Sequence, residues 1–235
     1  MADAIQLVDE DTWLLVDLDN TLFEAKQALG HVNWFYDEIE ERMQKGMSRE
    51  DSIKEGYIGW VKTQRVCSVQ PLEVDFVPAL ISLQNRGVVI MGLTHRWPIV
   101  AESTAIQVES LGLDFTKTAP SKGSFVVPAA NQALYLRGIL FAHDYNKKGD
   151  VFLSFLSEIQ KMPTKILFID DKKSNVEELE KTMSKYDVEY IGVYYTAYKY
   201  VKPVYSRELA KFQSKFLDTI LSNEVASLLM EQGLE

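Results

Sequence analysis

Three short runs in this chain lack the apolar–polar alternation of a half-buried strand: Trp13–Leu18 (WLLVDL), Val88–Leu93 (VVIMGL) and Ile166–Ile169 (ILFI). A strand that is apolar on both faces belongs in the middle of a parallel sheet with helices on either side. Tyr190–Tyr195 (YIGVYY) is a fourth candidate strand. Helical patterns lie between them. VDFVPALISLQNRG precedes the second strand and closes on Gly87; WPIVAESTAIQVESLG follows it, with Pro98 in its first turn and Gly112 at its end. DVFLSFLSEIQKM precedes the third strand and SNVEELEKTMSKY follows it. Strands and helices in this alternation predict right-handed crossovers and an α/β fold, a doubly wound and mainly parallel Rossmann-like sheet.

Two segments interrupt the alternation. NWFYDEIEERMQKG and SREDSIKEGYIGWVKTQ read as amphipathic helices, the second capped by Ser48, so residues 27–72 form a small helical insertion and residues 1–26 and 73–235 the core domain. Trp34, Phe35 and Tyr36 are assigned to the seam between these helices. NQALYLRGILFAHDY reads as two short strands turning at Arg137-Gly138. The C-terminal SRELAKFQSKFLDTILSNEVASLLMEQ reads as one or two amphipathic helices, capped by Ser206 and by Ser222 or Asn223, that pack on the sheet or form an oligomer contact.

Composition excludes several classes. The net charge of −9 comes with dispersed basic residues, so a nucleic-acid backbone is not an expected partner. No apolar run reaches the roughly 20 residues that span a bilayer. The acidic start MADAIQLVDEDT lacks the pattern of a signal peptide, which predicts a soluble, cytoplasmic protein; a leader removed upstream of Met1 would make it secreted or periplasmic. Cys67 is the one cysteine, too few for a disulfide, and reads as a small buried hydrophobe. His31 and His143 are assigned structural roles, and Tyr194, Tyr195, Tyr198 and Tyr200 packing at the end of the sheet.

Ligands of open α/β sheets bind beyond the carboxyl ends of the strands. After the first strand come Asp17, Asp19 and Thr21; after the second, Thr94, His95 and Arg96; after the third, Asp170 and Asp171. Four carboxylates on one edge repel one another, and the hard, oxygen-seeking divalent cation that relieves them beside phosphate is Mg²⁺. Lys148, at a helix start in NKKGDVF, brings a cation to the same edge, and Thr94 a hydroxyl donor. Such a set describes a phosphoryl site. His95 and Arg96 are read as substrate contacts, with the alternative for Arg96 of a surface cation pairing with acidic neighbours.

These residues resemble the four motifs of the haloacid dehalogenase (HAD) superfamily: DLDNTL the first, MGLTHR the second, KKGDVFLSFL the third and LFIDDKKSN the fourth, in the family's order across residues 13–195. The resemblance implies a Mg²⁺-dependent phosphatase with a small inserted helical cap. It makes Asp17 the nucleophile that forms an aspartyl-phosphate and Asp19 the general acid and then base, whose backbone carbonyl helps hold the metal. Asp171 is the preferred direct metal ligand and Asp170 the one acting through water or by orienting the site; Thr94 and Lys148 hold the transferring phosphoryl group. Lys148 is preferred to Lys147 because Gly149 follows it. Asn175 ties the fourth loop together and Thr21 the first. If strand geometry continues past Asp17, its carboxylate and that of Asp19 face one phosphorus. A carboxylate at Asp19 favours an oxygen leaving group over carbon–halogen cleavage, and the Lys-Thr-Gly-Thr run of the transport ATPases is missing after Asp17. The implied substrate is a small phosphorylated metabolite; the alternatives are a phosphoprotein or a phosphate-binding protein without turnover.

Overall fold

The structure is a computed structural model that describes residues 2–199, 205–218 and 220–233. Its strands are β1 (Thr12–Val16), β2 (Phe23–Ala25), β3 (Val69–Pro71), β4 (Val89–Thr94), β5 (Phe125–Val127), β6 (Ala133–Leu136), β7 (Ile139–Phe141), β8 (Lys165–Asp170) and β9 (Glu189–Tyr194). Its helices are α1 (Ala2–Ile5), α2 (Val32–Gln44), α3 (Arg49–Gln64), α4 (Phe76–Asn85), α5 (Ala101–Ser110), α6 (Lys148–Ile159), α7 (Lys173–Met183), α8 (Arg207–Gln213) and α9 (Asn223–Glu231). They fall into two compact units. One takes the chain as far as Phe23 and resumes from Pro71 to the described end at 199; the other comprises Glu24–Gln70 and the described residues after 204.

The first unit is built on a seven-stranded sheet in the order β5-β6-β7-β4-β1-β8-β9. From β7 to β9 every neighbouring pair is parallel, and β5, β6 and β7 are joined antiparallel at one edge. The central strands are apolar throughout because both faces are covered. Leu15, Met91, Leu93, Ile166 and Phe168 share a core with Phe152, Phe155, Leu179 and Met183 of α6 and α7. The alternate positions Leu14, Val16, Ile90, Leu167 and Ile169 are wholly buried as well. Each such side chain contributes about 1.5–3 kcal/mol on burial.

The turn at Arg137-Gly138 forms as expected, both residues having positive φ (48° and 76°), the conformation of a type I′ hairpin. Its strands do more than interrupt the chain path: β7 joins the main sheet against β4. The third member of that edge, β5, was not expected, since FVV is too short to carry a strand signal of its own.

In the second unit, Ser48 caps α3 by accepting from the Asp51 N–H, as the sequence requires. Phe35 packs against the rings of Tyr57 and Trp60, and Trp34 is buried, whereas Tyr36 lies exposed outside the seam. His31 caps α2, its Nδ1 accepting from the Asn33 N–H. Cys67 is buried, and its sulfur would lie 2.5 Å from any Cβ placed on Gly30.

One expectation is corrected here. The C-terminal helices are expected within the 73–235 core, on the sheet or in an oligomer contact, yet α8 and α9 group with the inserted helices. The tie is made by side-chain amides. Gln213 Oε1 accepts from the Leu29 N–H at 3.0 Å, Asn223 Oδ1 accepts from the Ala28 N–H at 3.0 Å, and Asn223 Nδ2 donates to the Lys26 carbonyl at 2.9 Å. Ser206 and Ser222 cap these helices, and Asn223 is left free for that contact.

A candidate carboxylate–lysine site

The site lies in the first unit, where β1, β4 and β8 end. Asp17 follows β1 and still bonds the ladder, its N–H donating to the Ile169 carbonyl at 2.9 Å. The chain then turns: the N–H groups of Thr21, Leu22 and Phe23 converge on the Leu18 carbonyl, and Asn20 takes a left-handed φ of 60°. Wholly buried Leu18, Leu22 and Phe23 anchor this loop. Strand geometry therefore stops at Val16.

Lys148, 1% exposed, places Nζ 2.6 Å from Asp17 Oδ1 and 2.6 Å from Asp170 Oδ2. Lys147 points to solvent instead. The reason is packing at Gly149: a Cβ there would lie 2.6 Å from Thr182 Oγ1, so only glycine lets α6 begin this close to α7. Its N–H donates to Glu178 Oε2 at 3.0 Å, which satisfies one of the open donors at the helix start.

Asp170 is wholly buried and saturated. Besides Lys148, it accepts from the Lys172 N–H at 2.8 Å and from Asn175 Nδ2 at 3.0 Å to each oxygen. Asn175 thus ties the fourth loop, as the motif implied. Thr21 ties the first to the fourth, donating to Asp17 Oδ2 at 3.1 Å and accepting from the Asp171 N–H at 3.1 Å. Among the described residues, the Asp171 carboxylate accepts one hydrogen bond, a long contact of 3.4 Å from Asn20 Nδ2, which leaves its oxygens the more open of the pair.

Asp17, Asp170 and Asp171 each bring an oxygen within 4.8 Å of the others. Three buried carboxylates against one ammonium leave surplus negative charge, and proton affinities rise accordingly. Burial lifts Asp17 to about 8, with Asp170 and Asp171 adding to the effect and Lys148 opposing it. Burial likewise lifts Asp171 to about 6, aided by Asp170. Burial alone would lower Lys148, but Asp17 and Asp170 outweigh it and hold the ammonium above its ordinary value. The all-oxygen donor set fits a hard divalent cation such as Mg²⁺. Asp17 and Asp171 would hold it, with Asp170 behind them.

The expected convergence of four carboxylates is corrected to three. Asp19 turns to Arg96: Nε donates to Oδ2 at 2.8 Å and Nη2 to Oδ1 at 2.7 Å. Arg96 is buried, not a surface cation, and it holds no open fork for phosphate. Nη1 donates to Thr104 Oγ1 at 2.9 Å and to Gln107 Oε1 at 2.6 Å, and the guanidinium lies 5.1 Å from the Phe23 ring centroid. Thr94, 1% exposed, accepts from the Arg96 N–H at 3.1 Å, which leaves its hydroxyl proton to donate. His95 has its Nε2 buried without a hydrogen-bond partner among the described residues. Burial, then Lys148 and Lys172, drive its pKa down to about 3, so the ring is neutral and cannot act as a cationic phosphate contact.

Sequence reasoning missed the support behind Asp19. The signal was Thr104 and Gln107, polar residues on the buried stripe of α5 among Ala101, Ala105 and Val108. His143 stacks on Trp97 at 4.3 Å between ring centroids, and Tyr195 donates to Glu73 at 2.8 Å, both structural uses. Tyr194 and Tyr198 lie near Lys199, while Tyr200 falls outside the described residues.

Fold and site together define an α/β protein with a buried acidic cluster at the carboxyl edge of a mostly parallel sheet. The chain belongs to a family described as a protein of unknown function (DUF2608), whose model matches residues 1–227. It is 31% identical over 226 residues to a Chlamydia pneumoniae protein named "Putative outer membrane protein", covering 96% of this chain and 85% of that one. A Chlamydia trachomatis protein of the same name is 28% identical, covering 100% of this chain and 88% of its own. An uncharacterized protein of Rickettsia prowazekii is 24% identical, covering 90% and 80%. Among the described residues, no helix is long and apolar enough to cross a membrane.

Proposed function

We propose that this chain is a Mg²⁺-dependent phosphomonoester hydrolase of the HAD type, acting through an aspartyl-phosphate on Asp17. The observation that carries the reading is Lys148 inserted between Asp17 and Asp170 with Asp171 beside them, an arrangement of opposite charges suited to a phosphoryl group.

In the first step an Asp17 oxygen bonds to phosphorus as the ester P–O bond breaks, and the departing alcohol takes a proton from Asp19, which holds that proton on one oxygen only once one of its two hydrogen bonds from Arg96 has been released. In the second, water adds to phosphorus, its proton passes to Asp19, and the Asp17–phosphorus bond breaks to release phosphate. Lys148 and the Thr94 hydroxyl neutralise and orient the phosphoryl oxygens. Mg²⁺, held by Asp17 and Asp171, would supply positive charge against those oxygens and favour the ionised form of Asp17. The substrate proposed is a small phosphorylated metabolite, and the compartment proposed is the cytoplasm, with a secreted or periplasmic location as the alternative.

The test is hydrolysis of p-nitrophenyl phosphate by the wild type and by Asp17→Asn, with and without Mg²⁺. Release that needs Mg²⁺ and vanishes in the variant supports the reading. Equal inertness of the two proteins across a panel of phosphorylated metabolites and phosphopeptides overturns it and leaves phosphate binding without turnover.

A further inference from the structure

We infer that Arg96 is a positioning residue that sets the direction of the Asp19 carboxylate, and that Thr104 and Gln107 of α5 are the fixed points from which it does so. The inference rests on the hydrolase reading above. Its basis is the way the guanidinium is spent: Nε and Nη2 grip both Asp19 oxygens, Nη1 is held by Thr104 and Gln107, and the plane lies near Phe23. A planar fork bound on both sides has one orientation, unlike the ammonium of a lysine on its flexible stem. Thr104 is itself anchored, donating to the Val100 carbonyl at 2.7 Å, so the direction of the fork is inherited from the helix backbone.

The second contact reinforces this. The Arg96 N–H donates to Thr94 Oγ1 at 3.1 Å, so one residue places both the hydroxyl expected to meet phosphate and the carboxylate expected to meet the leaving oxygen. Asp19, carried by a loop whose strand has ended, has no other side-chain partner among the described residues. Substrate selectivity follows. An alcohol that leaves poorly depends on a well-aimed proton; dinitrophenolate leaves without one.

The experiment is single-turnover release of the alcohol from dinitrophenyl phosphate and from phenyl phosphate with Mg²⁺, in wild type, Arg96→Met, Asp19→Asn and the double variant. Arg96→Met should lower phenyl phosphate cleavage at least about 30-fold more than dinitrophenyl phosphate cleavage. In the Asp19→Asn background the same change should leave that ratio unaltered, because the group being aimed is gone. Gln107→Met, which keeps the arginine and loosens its hold, should move the ratio in the same direction by about threefold or more, and it serves where Arg96→Met does not fold. Equal losses on both esters, or a ratio change that persists without Asp19, overturn the inference alone. A wild type that cleaves neither ester in Mg²⁺ overturns the hydrolase reading and this inference with it.

Discussion

Asp17 and Asp19 are separated by one residue and meet opposite environments. Asp17 shares a single ammonium with Asp170 and has Asp171 alongside, so negative charge is in excess and burial drives protons on. Asp19 is matched one to one by a guanidinium, with its side chain 29% exposed. A buried cluster left out of balance is open to a cation; a balanced pair is closed to one. The difference separates a place where a ligand is wanted from a place where a side chain is held still.

The largest expected effect is on turnover. Asp17→Asn should lower hydrolysis at least a thousandfold, roughly 4 kcal/mol in the barrier, while leaving metal-free stability equal or higher because surplus charge has been removed. Asp19→Asn should instead destabilise, since it strips the buried Arg96 of its counter-ion; urea unfolding of the two variants without metal decides it, and stability changes of like sign break the contrast.

Next come the cations. Lys148→Met leaves three buried carboxylates uncompensated and should cost about 3–5 kcal/mol. Arg96→Met leaves one partly exposed carboxylate and should cost about 1–2 kcal/mol. Equal midpoint shifts for the two would erase the distinction.

Mg²⁺ at a hundred times its dissociation constant should then stabilise the wild type by about 2.7 kcal/mol, and Asp19→Asn by a similar amount. Asp17→Asn and Asp171→Asn should lose most of that gain in thermal melts. Retention of the full shift in Asp171→Asn would remove that residue from the ligand set.

His95 gives the smallest effect and reports how dry this edge is. Its folded pKa is depressed to about 3, so below the ordinary histidine value near 6.5 the unfolded chain binds a proton that the folded one refuses. Stability from this group is whole above 6.5 and is lost as pH falls toward 3, by at most about 1.4 kcal/mol per unit. His95→Asn should flatten the curve by about 1 kcal/mol between pH 6.5 and 5.5. An unchanged slope would place the ring in contact with water.

Much of this organisation was legible in the sequence. Strands apolar on both faces announce a covered parallel sheet, Arg137-Gly138 a tight turn and Ser48 a helix start, whereas the glycine after Lys148 marks which lysine turns inward without saying that a second helix is the reason. What escaped depends on backbone direction and on partners distant in sequence. The pairing of Asp19 with Arg96 arises because β1 ends at Val16 and the loop turns through Asn20, which no periodicity encodes. An amphipathic helix likewise records which face it hides but not against what, so the grouping of α8 and α9 with the inserted helices is not legible in their sequence. The Arg96 fork was half written in Thr104 and Gln107, whose polarity on a buried stripe is the kind of local exception that marks a committed group.

The amides of Gln213 and Asn223 carry a consequence for how the protein is made. The backbone groups of Lys26, Ala28 and Leu29 that they satisfy emerge from a ribosome early, whereas Gln213 and Asn223 emerge late. At about 5–20 residues per second, the early segment waits roughly ten to forty seconds for its partners. A released chain truncated after residue 204 should therefore expose the 24–70 segment to protease while the sheet resists it.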